Sequence, residues 1–168
     1  MNTNYPALLV IAPLLAALIC SLFSWIAKKL CYPTALIGLF ISLLSAFKVL
    51  MQVLDTGTIQ YRMAGWAPPM GIEYRIDLLN AMVLLLVSGI AFLNLIASYK
   101  SVEQETSDRA GSFYTIYLLF VTGLLGVTAT GDLFNLYVLI EITSLTSYAM
   151  VALGDKDRGP QWPSVFVS

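Results

Sequence analysis

The sequence contains no histidine and few charged residues. Only 11% of its 168 residues are Asp, Glu, Lys or Arg, whereas a soluble domain carries about a quarter. The absence of histidine removes the commonest metal ligand and the commonest general base near neutral pH. The formal net charge of −1 gives no reason to expect nucleic acid or an acidic partner. We therefore expect no metal site and no soluble domain.

Cysteine is also scarce, since the chain has only Cys20 and Cys31. Two thiols in or beside the first two apolar runs make neither a disulfide framework nor a zinc-binding spacing. We interpret both as small apolar packing residues.

Long apolar runs dominate the chain, which is 58% hydrophobic. They lie at residues 5–27, 32–54, 78–99, 113–130 and 133–153. Each is close to the roughly 20 residues that a helix needs to cross the hydrocarbon layer. The sequence therefore predicts an all-α polytopic membrane protein with about five transmembrane helices. Residues 1–168 would form one membrane domain, with a polar tail at 154–168.

The distribution of Lys and Arg predicts the orientation in the membrane. With five spans, the first connection, the third connection and the tail lie on the same side of the membrane. Together they contain six basic residues, Lys28, Lys29, Lys100, Arg109, Lys156 and Arg158. Only Arg62 and Arg75 fall on the other side. Basic loops stay cytoplasmic, so we expect the N-terminus outside and the C-terminus inside the cell membrane. A basic pair that follows the first run also argues for a retained helix and against a cleaved signal peptide.

The connection between the second and third runs, residues 55–77, has the pattern of a strand pair. Ile72, Tyr74 and Ile76 alternate with polar residues, as in a half-exposed strand. Residues 58–64 could pair with them through a turn at residues 68–71, PPMG. This predicts a β-hairpin on the membrane surface. The connection at Gly131 and Asp132 is so short that the fourth and fifth runs should form a tight helical hairpin.

Glu141 is the one charge in the fifth run. A carboxylate at mid-membrane depth costs several kcal/mol unless it is paired, protonated or wetted, so it is a functional candidate for moving protons or cations. Tyr137, Ser144 and Tyr148 follow a four-three-four spacing with it and share its helix face. The alternative is a structural glutamate that is hydrogen-bonded across helices.

Two other charges have simpler interpretations. Lys48 lies near the end of the second run, where its ammonium group can reach the interface; the alternative is an ion pair with a carboxylate on a neighbouring helix. Asp132 is placed to cap the N-terminus of the fifth helix.

Amide and glycine residues within the runs point to helix packing. We expect Asn80 and Asn94 to donate hydrogen bonds between helices, and Gly123 and Gly126 to allow close approach of helices.

Two long segments resemble motifs of antiporter-like membrane subunits. These are AGWAPPMGIEYRIDLLNA, residues 64–81, and TGDLFNLYVLIEITSLTSYAMVAL, residues 130–153. Such subunits occur in Mrp-type cation/proton antiporters, membrane-bound hydrogenases and respiratory complex I. The resemblance extends over about residues 5–153 and is strongest to the D-type Mrp subunit or its hydrogenase counterpart.

The resemblance implies a role for Glu141. It matches the family's fifth-helix glutamate, which pairs with a lysine on the seventh helix and drives proton movement through a half-channel. The family fold has about fourteen helices in two inverted repeats, and it carries no redox cofactor. Whether an NADH dehydrogenase or hydrogenase module is attached is left open.

The sequence contains no later helix that could supply the lysine, so we expect another chain to do so. The expected partners are that chain, other membrane subunits and lipid, with protons and Na⁺ as candidate ions. A structural or assembly subunit without an ion path is the alternative. A stand-alone carrier is less favoured, because five helices with one buried acid offer little for a gated two-sided path.

Overall fold

The computed structural model describes residues 4–62, 73–105 and 110–155. These contain helices α1 (Tyr5–Ile26), α2 (Cys31–Thr56), α3 (Leu78–Glu105), α4 (Ala110–Ala129) and α5 (Leu133–Asp155), a 3₁₀ turn at Lys28–Leu30, and strands β1 (Ile59–Arg62) and β2 (Glu73–Ile76). All five helices are long and apolar enough to cross a membrane. The prediction of a polytopic helical membrane protein with a hairpin between its second and third helices is confirmed.

The helix bounds differ most from the predicted runs at α3. This helix continues to Glu105, past the expected end at Tyr99. Lys, Glu and Gln are good helix formers, so the helix does not have to stop where its apolar stretch stops. Helix α5 likewise continues to Asp155, and the rest of the predicted polar tail, residues 156–168, lies outside the described residues.

Helix α4 is the centre of the described bundle. It packs against α1, α3 and α5, and α1 and α3 also pack against α2. Half of the residues in the span of α4 are buried, compared with 11% in α5. Helix α5 packs mainly against α4, so it lies at the edge of the bundle with most of its surface uncovered by the other described helices.

Glycine brings α4 and α5 into close contact. A Cβ atom on Gly126 would lie 2.7 Å from Leu139 Cδ2, and one on Gly123 would overlap Thr143 Oγ1. The prediction that these two glycines permit close helix packing is confirmed.

The two strands pair in antiparallel register, with Ile59 opposite Ile76 and Tyr61 opposite Tyr74. Tyr74 and Ile76 are buried while Arg75 between them is exposed, as the alternation in the sequence predicts. The expected turn at residues 68–71 lies outside the described residues.

The cysteines and asparagines form specific hydrogen bonds. Cys20 and Cys31 are both free and buried, and the Cys20 thiol donates to the Cys31 carbonyl over 3.2 Å. Asn94 of α3 lies beside Tyr117 of α4, whose hydroxyl donates over 2.8 Å to the Ala91 carbonyl of α3, and the hydrogen bond expected of Asn94 stays a prediction. The prediction for Asn80 is wrong: its side-chain amide donates over 3.2 Å to the carbonyl of Arg75 in β2, because it lies in the first turn of α3, beside the strand.

Candidate functional site

The fifth helix begins at a network built from three polar side chains. Asp132 Oδ1 and Oδ2 accept the backbone N–H groups of Phe134 and Asn135 over 3.3 and 3.4 Å. These are N-cap bonds, which satisfy donors that a helix end leaves without a partner. Asn135 Nδ2 donates over 3.0 Å to Thr130 Oγ1, which also accepts the Asp132 N–H. The chain can therefore reverse direction between α4 and α5 with almost no loop.

This turn is attached to the surface hairpin. The Gly131 N–H donates to the Glu73 carbonyl over 2.8 Å, and Tyr74 forms an isolated β-bridge with Thr130. A Cβ atom on Gly131 would lie 2.8 Å from Arg75 Cβ, so the contact requires glycine. Strand β2 thus contacts the turn that precedes α5. The sequence of this turn, Thr130-Gly131-Asp132, did not predict the contact, because it depends on how the chain folds β2 against the turn.

Burial of the Tyr74 side chain against this turn has an electrostatic consequence. Desolvation, with a smaller contribution from Tyr61, raises the pKa of Tyr74 to about 12. The phenol of Tyr74 therefore stays neutral at any physiological pH and acts as a packing group of the hairpin.

Glu141 lies eight residues after the first residue of α5, about 12 Å along the helix axis. Its side chain is exposed in this chain, and on the same face Tyr137 and Tyr148 are 70% and 73% exposed. Ser144 is half-buried. The opposite side of the helix, with Leu139, packs on α4. We call the exposed face, Tyr137, Glu141, Ser144 and Tyr148, the acidic face.

Among the residues that the structure describes, no hydrogen bond or ion pair reaches the Glu141 carboxylate. Nearby hydroxyls on α5 are used within the helix. Thr143 donates to Leu139 O over 2.8 Å and Ser147 donates to Thr143 O over 2.8 Å, which is a common local bond for these residue types. The carboxylate is therefore available to groups outside the described helices.

Lys48 is not brought to Glu141. It is exposed on α2, and α2 does not pack substantially against α5. Within the described ranges Lys48 forms no ion pair. No group of three or more Cys, Asp or Glu side chains in the same ranges could hold a metal ion.

Comparison with known proteins identifies relatives over most of the chain. The N subunit of the NADH-quinone oxidoreductase of Desulforudis audaxviator is 37% identical over 157 residues, 93% of this chain and 31% of that protein. The putative antiporter subunit mnhD2 of Staphylococcus haemolyticus is 35% identical over 159 residues, 92% of this chain and 30% of that protein. The chain is a homologue of antiporter-like membrane subunits. No protein-family model matches it.

Solved structures of such complexes contain the same fold. A chain of the membrane-bound sulfane sulfur reductase, an archaeal respiratory membrane complex, superimposes with a TM-score of 0.79 at 33% identity, over 88% of this chain and 30% of that one. A chain of the Mrp complex from Dietzia sp. DQ12-45-1b superimposes with a TM-score of 0.71 at 28% identity, over 88% of this chain and 27% of that one. This antiporter-like chain spans less than a third of the length of these relatives, and it corresponds to their N-terminal part.

Proposed function

We propose that this chain is a membrane subunit of a multisubunit proton- or cation-translocating complex, in which Glu141 contributes to a proton pathway that another polypeptide completes. The single observation that carries the proposal is the position of the Glu141 carboxylate. It lies within a membrane span, on the side of α5 that α4 does not cover. Homology to subunits of such complexes supports the assembly part of the proposal.

The energetics of the membrane favour a further protein surface over the acidic face. An ionised carboxylate exposed to lipid costs several kcal/mol, so intramembrane acids face protein or a water-filled cavity. The described helices provide neither for Glu141. A further protein surface, carrying water or a basic group, would cover the acidic face. The resemblance to antiporter-like subunits assigns the basic group to a lysine.

Two opposing influences on its carboxyl group would allow Glu141 to move protons. Burial disfavours the charged form of a carboxyl group, and a neighbouring cation favours it. A carboxyl group between these influences binds a proton when the cation moves away and releases it when the cation returns. Tyr137, Ser144 and Tyr148 carry hydroxyls on the same face, which can hold water beside the carboxylate. Protons are the proposed cargo, and Na⁺ is the second candidate.

We also propose an orientation. The Tyr74–Thr130 bridge places the hairpin and the α4–α5 turn at one end of the bundle. The Lys28–Leu30 turn and Lys100 lie at the other. By the positive-inside rule, the hairpin would lie outside the cell membrane and the lysine-rich end would be cytoplasmic.

Site-specific crosslinking in native membranes tests the assembly. A photoreactive phenylalanine analogue at Tyr148 should crosslink to a second membrane subunit, which mass spectrometry would identify after purification in mild detergent. The control is the same analogue at Leu86, which is 60% exposed on α3. Crosslinking to lipid alone from position 148 would contradict the proposal. A structural subunit would pass this test too, so the role of the charge requires a separate measurement of proton translocation in Glu141→Gln.

A further inference from the structure

A proline interrupts the hydrogen-bond ladder of α1. Pro13 lies inside this helix and is fully buried. Because proline has no N–H group, the carbonyl of Leu9, four residues earlier, loses its helical donor, and the proline ring presses against that carbonyl. Leu9 is also fully buried, and the hydrocarbon region offers no water to replace the donor. Helix α1 nevertheless continues from Tyr5 to Ile26, so the Leu9 carbonyl needs a donor from elsewhere.

Ser42 of α2 supplies that donor. Its hydroxyl donates to the Leu9 carbonyl over 2.7 Å, and its side chain is completely buried. Other helical hydroxyls behave differently. Those of Ser45 and Thr122 donate over 2.8 and 2.7 Å to the carbonyl four residues earlier in their own helices, which is the common local bond. For Ser42 that local acceptor would be Gly38, and the hydroxyl bonds to the proline-containing helix instead.

Gly38 allows α2 to come close enough for this bond. It lies one turn before Ser42 on the same face of the helix. A Cβ atom on Gly38 would overlap Ala16 Cβ and would lie 3.4 Å from the Ala12 carbonyl oxygen. The backbone of α2 therefore passes directly against the turn of α1 that contains the proline.

The part of α1 before the proline, residues 4–12, is also held at its start. The Tyr61 hydroxyl in β1 donates over 3.2 Å to Asn4 Oδ1, which ties this part to the surface hairpin. Sharp bends in helices occur mostly at proline. Residues 4–12 are thus a segment between a possible bending point and the hairpin, and the Ser42 bond lies beside the bending point.

We propose that Pro13 is a hinge in α1 and that Ser42 is the latch that holds it closed. When the latch is closed, the Leu9 carbonyl has its donor and residues 4–12 keep one angle relative to residues 14–26. When it is open, residues 4–12 tilt about Pro13 and the hairpin end of the bundle moves with them.

The two states differ in where the Ser42 hydroxyl donates. In the open state it turns to the Gly38 carbonyl of its own helix, as other helical hydroxyls do. The Leu9 carbonyl is then buried without a donor, which is unfavourable, so the closed state is the more populated one. The latch does not depend on the role proposed for Glu141.

Distance measurements across the hinge test the latch. Spin labels are attached through p-acetylphenylalanine at Leu8 and Leu22 of the assembled complex, because this chemistry leaves the native cysteines unlabelled. Both positions are exposed, and they lie on either side of Pro13, about 21 Å apart along a straight helix. We expect a narrow distance distribution in the wild type and a broader one in Ser42→Ala. Ser45→Ala is the matched control, because it removes a buried hydroxyl that bonds within α2, and it should leave the distribution narrow.

Replacement of the proline separates a latch from an ordinary buried hydroxyl. Pro13→Ala restores an N–H group that can donate to the Leu9 carbonyl, so in this background Ser42→Ala should no longer broaden the distribution. Thermal unfolding of the purified protein gives a second readout. Ser42→Ala should lower the unfolding midpoint by about 4 °C when Pro13 is present, and by clearly less in Pro13→Ala.

Three results would overturn the proposal. A distribution in Ser42→Ala as narrow as in the wild type would mean that Ser42 does not hold a hinge. Equal broadening by Ser42→Ala with and without the proline would make Ser42 a packing residue that is unrelated to Pro13. Equal broadening by Ser45→Ala would assign the effect to general loosening of α2.

Discussion

The backbone N–H of Gly131 donates a hydrogen bond to the carbonyl oxygen of Glu73 over 2.8 Å. This bond joins the turn before α5 to strand β2. Strand β2 is in turn joined to α3, because Asn80 donates to the Arg75 carbonyl. The hairpin therefore links the starts of the third and fifth helices at the end of the bundle. This contact and the packing of α5 on α4 together hold α5, and with it Glu141, at its level in the bundle.

Substitution of Gly131 by alanine should weaken the link. The new Cβ atom would lie 2.8 Å from Arg75 Cβ and 3.3 Å from its backbone nitrogen, so the strand would have to shift. Overpacking of this kind costs about 1–3 kcal/mol, and we expect a lower thermal unfolding midpoint for the purified protein. Gly89→Ala is the matched control, because its Cβ would meet only Leu43 Cδ1 at 3.9 Å. Equal midpoints for the two variants would show that the contact with β2 does not need glycine.

Much of this architecture could be predicted from local patterns. The length and apolar character of five runs predict five helices, and alternation of apolar and polar residues after the second run predicts the hairpin. The contact between Gly131 and Glu73 could not, because it joins backbone atoms that are distant in the sequence, and a glycine in a tight turn does not indicate which strand packs against it. The expectation for Asn80 failed for a related reason. An asparagine in an apolar run has several acceptors within reach, and only the fold determines that β2 supplies one.

Gly123 should be intolerant of a larger side chain. A Cβ atom there would overlap Thr143 Oγ1 and approach the Leu139 carbonyl to 3.4 Å, so Gly123→Val would force α4 and α5 apart. We expect the free energy of unfolding to fall by about 1–3 kcal/mol, as measured by denaturant unfolding of the purified protein. Gly89→Val introduces the same side chain where a Cβ atom would meet only Leu43 Cδ1, at 3.9 Å, and should have a clearly smaller effect. If both valine variants lose equal stability, close packing of α4 on α5 is not the cause.

Removal of the N-cap of α5 should lower the free energy of unfolding by less than either glycine substitution. Asp132→Ala deletes the acceptor for the Phe134 and Asn135 N–H groups, and loss of an N-cap costs about 1 kcal/mol. Asp132→Asn keeps an acceptor oxygen and should retain most of the stability. Thermal unfolding of the two variants in parallel provides the measurement. If Asp132→Asn lost as much stability as Asp132→Ala, the effect would come from the charge of Asp132 and not from its N-cap hydrogen bonds.

Tyr74 should make the fold sensitive to strongly alkaline solution. Its pKa is about 12 in the folded protein because the phenol is buried, against an ordinary value of 10.0. Between about pH 10 and 12 the unfolded chain loses this proton while the folded chain keeps it, so the free energy of unfolding falls as the pH rises. Tyr74→Phe removes this titration and should flatten the fall. A phenolate signal from Tyr74 near its ordinary pKa, obtained from the absorbance difference between wild type and Tyr74→Phe, would contradict its burial.

The role of the Glu141 charge is tested by measuring proton translocation by the assembled complex that carries Glu141→Gln. Glutamine keeps the shape of the side chain and an acceptor oxygen but cannot release a proton. We expect a complex that assembles, as verified by co-purification of its subunits, but that has lost coupled proton movement. Asp55→Asn is the control for loss of an exposed carboxylate near the membrane surface. Translocation at the wild-type rate would contradict the proton-pathway role, and loss of assembly would make Glu141 a structural residue.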